Sequence, residues 1–512
     1  MEYNLLVEPW IRVSYGNGNT EQLGILDIVR RAHGIREICE NSPMEEFGIF
    51  RLVQLILLDA YRPQTIDDIK SILDKGSFDT SIVESYIARC KEEGVTFDIL
   101  NSERPFLQAN NWDKDNIVSV SKLNPFMPSG TNHVHFVHCF ESEARMSLAD
   151  TAKALCAAYL FATPGGRGYV TGPCGDRNVY CVPHGDNLFE TLVYNLVPLG
   201  SFELYGSPSV IWRDDGAVES GKTEPQTSLF RGMMFPARKI RIEQVEEGRY
   251  VRTINYAPGE KLDAGHGFYD PNVGYFHSEK GIFPVKSNPN KEMWRNLTTI
   301  LDRWNSNACP MVVSNCRELT DSDIRLVIYE ICNDKATFIL CHRNEFKIPI
   351  AFVDDEVKYN AVKAVADRVE AEAYKLGKDI SASQIGRMKG STVVESRKRQ
   401  SYKQQTLKAF FLDGRRVFYD FLASAGKCSP EDIDELLNQA YIALWGKRRD
   451  RFKEYLEMLI CNSYDRVVYE KALIKLRKEK EKFLQKQQKE ESSEECEESE
   501  DEKTEKGGLN ND

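Results

Sequence analysis

The sequence predicts an α+β protein with three parts: a large mixed α/β domain over residues 1–353, a C-terminal four-helix bundle over 354–486, and a disordered acidic tail over 487–512. Three observations carry this. β-rich runs alternate with helical periodicity as far as about Asp354 and then stop. Beyond that point four glycine-poor segments keep a helical period. The final segment from Gln487 holds eleven acids and three lysines, with no apolar pattern that would bury a core.

The elements follow in order. Residues 4–13, NLLVEPWIRV, read as a short strand with Trp10 as an anchor, and Glu21–Leu26 as a second strand before a helix over Asp27–His33. Met44–Tyr61 carries apolar residues at helical spacing over a face broad enough for a buried helix. Ile66–Leu73 and Thr80–Lys91 read as two more helices. Ser121–Phe140, broken by Pro125, Pro128 and Gly130, is largely loop.

Leu148–Phe161 is an apolar helical run that opens at Pro164 into a loop with Gly165, Gly166, Gly168, Gly172 and Gly175. Leu188–Leu199 is helical, Arg231–Ile242 runs into a basic strand, and Gln244–Gly267 is polar and irregular. Asp270–Val285 reads as a hairpin with Ser278–Gly281 at its tip, and Trp294–Trp304 as the start of a helix. Arg325–Cys332 and Ala336–Arg343 are strands around Asn333-Asp334-Lys335, residue types that suit a tight turn. The four bundle helices are Val357–Leu376, Tyr402–Ala425, Asp432–Leu444 and Arg449–Leu484, the last two separated by a WGKRRD turn. Ser429-Pro430-Glu431-Asp432 has the order of a helix start.

Composition narrows the function. The chain has 512 residues, 41% of them hydrophobic, and a net charge of −11, of which the tail supplies eight. The rest is nearly neutral and can carry local basic surfaces, so a nucleic-acid partner is not excluded. The start, MEYNLLVEPW, lacks a secretory pattern, and no apolar run reaches the ~18–20 residues of a membrane span. Thirteen scattered cysteines fit reduced thiols. The expectation is a soluble, cytoplasmic protein without a membrane partner.

The glycine loop lets backbone approach another surface closely. With Arg167 and Arg177 inside it, the loop suits phosphates or a groove. It is not a P-loop, since GxxxxGK[ST] is missing. The residues alone read Lys280 at a hairpin tip as a solvated turn lysine, and favour a surface turn at Asn333 over a probe inserted into a partner. Lys389, Arg397, Lys398, Arg399, Lys403 and Lys408 are either a solvated charged face or a phosphate contact. His133, His135 and His138, with Cys139, raise a metal site, although paired ligand segments are lacking. The alternative function is therefore a metal-dependent hydrolase built on His133, His135 and His138.

The order NLLVEPWIRV, KLNPF, glycine loop plus LFETLVYNL, DPNVGY and helical C-terminus resembles the CasA family, the large subunits of the type I-E CRISPR surveillance complex Cascade. The resemblance extends to about Leu484. It implies a non-catalytic subunit without cofactor that reads the protospacer-adjacent motif of double-stranded DNA from the minor groove. Its partners would be target DNA, the guide RNA ribonucleoprotein and a recruited helicase–nuclease that cuts. By the same resemblance Gly165, Gly166 and Gly168 form the glycine loop, and Lys280 is the lysine finger, with Lys286 as fallback. Asn333, Asp334, Lys335 and Ala336 form the wedge, where the family form is Asn-Asn-Gln-Ala. Asn132, Phe136 and His138 lie in the segment that docks on Cascade near the 5′ end of the guide. The basic surface of Arg397, Lys398, Arg399 and Lys403 would guide DNA. The zinc ribbon of some members is not carried over, because residues 240–270 contain no cysteine.

Overall fold

The structure, a computed structural model, describes residues 2–111, 116–125, 144–164, 167–202, 210–214, 216–263, 267–279, 281–302, 309–334, 337–383, 393–460, 463, 465–479 and 481–482. The chain divides into two units, Met1–Tyr359 and Asn360–Asp512. No helix among the described residues is long and apolar enough to cross a membrane. The acidic tail lies outside the described residues.

In the first unit, Trp10 is fully buried and its Nε1 donates to Leu5 O at 2.9 Å, which pins the entry of β1 (Ile11–Ser14). That strand lies between β2 (Thr20–Leu23) and β3 (Glu37–Ile38), with α1 (Ile25–Arg31) in the connection. The strand expected over residues 4–13 is thus shorter, because residues 5–9 turn around the Trp10 ring. The central helix is α2 (Pro43–Tyr61), buried along most of its length. Pro43 suits its first turn, where no N–H is required. Gly48 allows close packing: a Cβ there would meet Ala157 N at 2.8 Å. α3 (Ile66–Leu73) carries a Thr65–Asp68 capping box, and α4 (Thr80–Glu92) is capped by Asp79.

β4 (Ile117–Ser119) and β5 (Met146–Ser147) precede α5 (Leu148–Leu160), which packs on α2. β6 (Val179–His184) is buried at every residue. α6 (Leu188–Tyr194) stops short of the expected Leu199, since Asn195 turns its amide onto Thr191 O and Pro183 O. β7 (Thr223–Glu224) and α7 (Leu229–Met233) lead to β8 (Arg238–Glu246) and β9 (Tyr250–Pro258). Residues 244–262 therefore carry mostly strand where the sequence reads as irregular. β9 is the centre of a sheet with β4, β5 and β8, entered through Glu247 and Gly248 at φ 51° and 66°. Its buried Val251 and Ile254 supply the apolar face that its polar composition disguises.

β10 (Lys261–Leu262) pairs in parallel with β7. β11 (Tyr275–Ser278) and β12 (Gly281–Pro284) form the expected hairpin. After α8 (Leu297–Ile300) and α9 (Met311–Leu319) come β13 (Ile324–Asp334), β14 (Thr337–Ile348) and α10 (Ala351–Asp354). A further three-stranded sheet has the order β14-β13-β6. Its root is tied by ions: Glu37 accepts from Arg325 at 2.7 Å and from Arg343 at 2.9 Å, and Glu46 accepts from Tyr329 at 2.6 Å.

α11 (Glu356–Ala382) spans the boundary into the second unit, which continues with α12 (Val393–Ala425), α13 (Ile433–Met458) and helical residues 465–479. This is the expected four-helix region with different limits. α12 begins nine residues before the expected Tyr402, and α13 runs straight through the WGKRRD segment. Trp445, Arg448 and Phe452 are buried. Their burial outweighs the roughly 1 kcal/mol cost of Gly446 within a helix. Arg448 reaches Glu372 at 2.8 Å, Asp379 at 3.1 Å and Glu479 at 3.3 Å, so a residue placed near a turn by the sequence cross-links three helical segments.

Candidate nucleic-acid interface

The DPNVGY segment is a buried polar knot. Arg51 of α2 donates from Nη2 to both Asp270 oxygens, at 2.9 and 3.0 Å. Asp270 Oδ1 also accepts the Asn272 N–H at 2.9 Å, and the Asp270 N–H donates to Tyr275 Oη at 2.8 Å. Asn272 donates to Cys181 O and to Asn195 Oδ1, and Gln54 donates to Asn195 O. Burial pushes the Tyr275 hydroxyl well above its ordinary pKa, so it stays protonated. The knot fixes the base of the β11–β12 hairpin to α2 and β6. Phe276 and Phe283 face each other across that hairpin at 5.9 Å, and Lys280 lies outside the described residues.

Downstream of this hairpin, Lys286 is exposed and Ser287 is buried. Ser287 donates its N–H to Arg177 O at 3.0 Å and its hydroxyl to Glu330 Oε2 at 2.8 Å. Glu330 also accepts from Asn344 at 2.9 Å. Asn333 donates from Nδ2 to Asp176 O at 3.0 Å, while Arg177 Nε donates to Asn333 O at 3.3 Å. Gly175, at φ 85°, has the Lys286 Nζ 3.8 Å from where its Cβ would stand. The C-terminal half of the glycine loop, Lys286 and the upper part of the β13–β14 hairpin therefore meet.

The other half of the loop has its own support. Arg238, fully buried, donates to Thr163 O and, at 2.6 Å, to Val170 O, the two sides of the loop's neck. Its Nε donates to Tyr256 Oη at 3.0 Å and its guanidinium lies 5.1 Å from the Tyr169 ring centre. No carboxylate among the described residues pairs with it. Gly168 sits at φ 89°, with Pro258 Cγ 3.2 Å from its Cβ position; the positive φ and the close proline both favour glycine. Gly165 and Gly166 lie outside the described residues.

The turn of the long hairpin differs from expectation. β13 continues through Asn333 and Asp334, and Asp334 pairs with Thr337, so the connection is Lys335-Ala336. Asn333 is buried rather than at the tip, because its amide is held by Asp176 O. Lys335 and Ala336 lie outside the described residues, as do Asn132, His133, His135, Phe136, His138 and Cys139. No group of three or more His, Cys, Asp or Glu among the described residues could hold a metal ion. In the second unit, Arg397 is exposed and Arg399 half-buried. Lys403 donates to Ser381 Oγ at 2.7 Å, tying α12 to α11, and of Lys398 only the helical position is described.

Sequence reasoning missed Arg238, Asp176, Ser287 and Glu330. Glu330 had a signal: a carboxylate inside the apolar run RLVIYEIC must find a buried partner. Arg238 and Ser287 had none, since most of their partners lie far along the chain.

A mixed domain of small sheets around one buried helix, followed by a helical bundle, is a fold shared with solved proteins. Crystal structures of Thermus thermophilus CasA (TM-score 0.73, 23% identity, 93% of this chain and 100% of that one) and Thermobifida fusca Cse1 (0.74, 20%, 93% and 97%) superpose on it. So does a chain of a CRISPR RNA-guided surveillance complex (0.71, 16%, 90% and 99%). A curated CasA/Cse1 protein of Thermus thermophilus is 29% identical over 409 residues, 75% of this chain and 79% of that protein. The family model of CRISPR-associated protein Cse1 matches residues 4–449. The chain belongs to the CasA/Cse1 family of type I-E Cascade, the family its sequence resembles.

Proposed function

We propose that the chain is the non-catalytic large subunit that reads the protospacer-adjacent motif of double-stranded DNA from the minor groove, starts strand separation and helps recruit the helicase–nuclease. The observation that carries this reading is the junction of the glycine loop, Lys286 and the long hairpin. The minor groove is about 6 Å wide and presents mostly acceptors. Glycine backbone and one lysine fit such a groove and tolerate several sequences. Lys286, exposed beside Gly175, takes the finger role at least as well as Lys280. The Lys335-Ala336 turn is the wedge, and opening one base-pair step costs about 1.4 kcal/mol of stacking. Lys335 where the family form has Gln adds a cation that phosphate attracts. Asn132, Phe136 and His138 dock on the guide ribonucleoprotein, and Arg397, Lys398 and Arg399 meet DNA phosphates, with Lys403 partly committed to Ser381.

The test is binding of motif-bearing and motif-free duplexes by assembled complexes. Lys286→Ala, Lys280→Ala and removal of Lys335-Ala336 are compared with wild type. Loss of the true finger weakens motif-bearing duplex by about tenfold, the scale of one good groove contact. A duplex already open beside the motif restores the shortened hairpin more than the lysine variant. Equal binding by all variants and wild type refutes the reading.

A further inference from the structure

We propose that Asn333 is a positioning residue that clasps the glycine loop to the wedge hairpin and so couples motif readout to strand opening. This rests on the minor-groove reading above. The loop runs directly into β6, and β6 pairs with β13 from His184–Arg325 to Val179–Glu330. One further backbone bond, from Ile331 N–H to Asn178 O at 3.0 Å, extends that ladder. Above it the hold passes to side chains. Asn333 Nδ2 grips Asp176 O and Arg177 Nε grips Asn333 O, a reciprocal pair joining residues more than 150 positions apart. Ser287, next to Lys286, is bonded to both sides, to Arg177 O and to Glu330.

Stability alone does not account for an asparagine here. Asn is a poor strand former, and Asn333 Oδ1 is buried with no partner among the described residues. Leaving such an acceptor unpaired is destabilising. An apolar residue would avoid that cost but could not hold Asp176. The pairing register also shifts between Cys332 and Asn333: Cys332 faces Leu340 and Asn333 faces Phe338, so Ile339 is the extra residue. A bulge re-aims the strand that follows it, and the clasp fixes the direction taken. Groove contacts that settle the loop therefore settle the turn two residues beyond Asn333. Without the clasp both parts remain but move independently.

The experiment is a coupling measurement on assembled complexes. Affinities for closed motif-bearing duplex are measured for Lys286→Ala, for removal of Lys335-Ala336 and for their combination, in wild-type and Asn333→Leu backgrounds. Parts that act as a unit give non-additive losses, and independent parts give additive ones. The expected result is non-additivity in the wild-type background and additivity with Asn333→Leu. The single Asn333→Leu variant loses about tenfold on closed duplex, some 1.4 kcal/mol, and stays near wild type on DNA already open beside the motif. If Asn333→Leu fails to fold, Arg177→Lys, which removes the opposite bond and keeps the charge, carries the same expectation. Unchanged closed-duplex binding and unchanged non-additivity, with the lysine and hairpin variants still impaired, overturn the clasp. If those two variants also bind like wild type, the minor-groove reading itself fails and the clasp falls with it.

Discussion

Replacing Asp270 by Asn isolates the charge of the polar knot. Arg51 has no exposed surface in its side chain and Asp270 has 2%, and both carboxylate oxygens accept from Arg51 Nη2. The amide keeps an oxygen for the Asn272 N–H but leaves the guanidinium buried and uncompensated. Its Nε and Nη1 have no hydrogen-bond partner among the described residues. Breaking a buried pair from one side costs about 3–5 kcal/mol. The retained shape and the Phe47 and Tyr180 rings, 5.0 and 5.6 Å from the guanidinium, place Asp270→Asn near the lower figure, about 3 kcal/mol. Urea unfolding followed by tryptophan fluorescence measures it. The decisive arm is Arg51→Met in the Asp270→Asn background, which removes the stranded charge and recovers most of the loss. A single-variant loss below about 1 kcal/mol, the range of exposed ion pairs, or no recovery in the double variant, refutes the reasoning.

Two other predictions bear on the supports of the site. Arg325 donates to both oxygens of Glu345, and that hydrogen bonding holds the Glu345 pKa at about 2, below its ordinary 4.5. A depressed carboxylate stabilises the fold fully above about 4.5 and loses that contribution as pH falls toward about 2. Glu345→Gln should flatten acid unfolding within that window while changing stability at pH 7 by no more than about 1 kcal/mol, because the pair is partly exposed. Arg238→Lys keeps the charge but puts one nitrogen in place of the two that hold Thr163 O and Val170 O, and loses the Nε bond to Tyr256. It should lower thermal stability by about 1–3 kcal/mol and weaken motif-dependent binding, and a variant that melts lower yet binds normally would separate the loop's neck from its function.

Periodicity made the helices legible wherever one face dominated. Ile66–Leu73 has the limits the apolar spacing gave, and the central helix differs by one residue. What escaped depended on partners far along the chain. β9 looked irregular because its polar residues share a sheet centre with β4, β5 and β8. WGKRRD looked like a turn because nothing local reveals that Arg448 is drawn inward by Glu372 and Asp379. Asn333 looked like a turn residue because Asn suits turns, yet Asp176 O holds it inside a strand. The glycine loop was visible as a composition. That its neck is gripped by Arg238, and that it flows into the strand beside the long hairpin, required the fold.

That adjacency of β6 and β13 makes the sheet a ruler. The loop and the turn leave the same end of neighbouring strands, so their lateral spacing is one strand interval, about 4.8 Å. Their axial offset cannot drift. A slip of one residue turns every buried side chain to the wrong face, so the smallest permitted jump is two residues, roughly 6.8 Å. Stacked base pairs rise about 3.4 Å. Under the minor-groove reading proposed above, the separation between the bases read and the first pair opened would therefore change by about two base pairs or not at all, unless the number of residues between Asp334 and Thr337 itself changes.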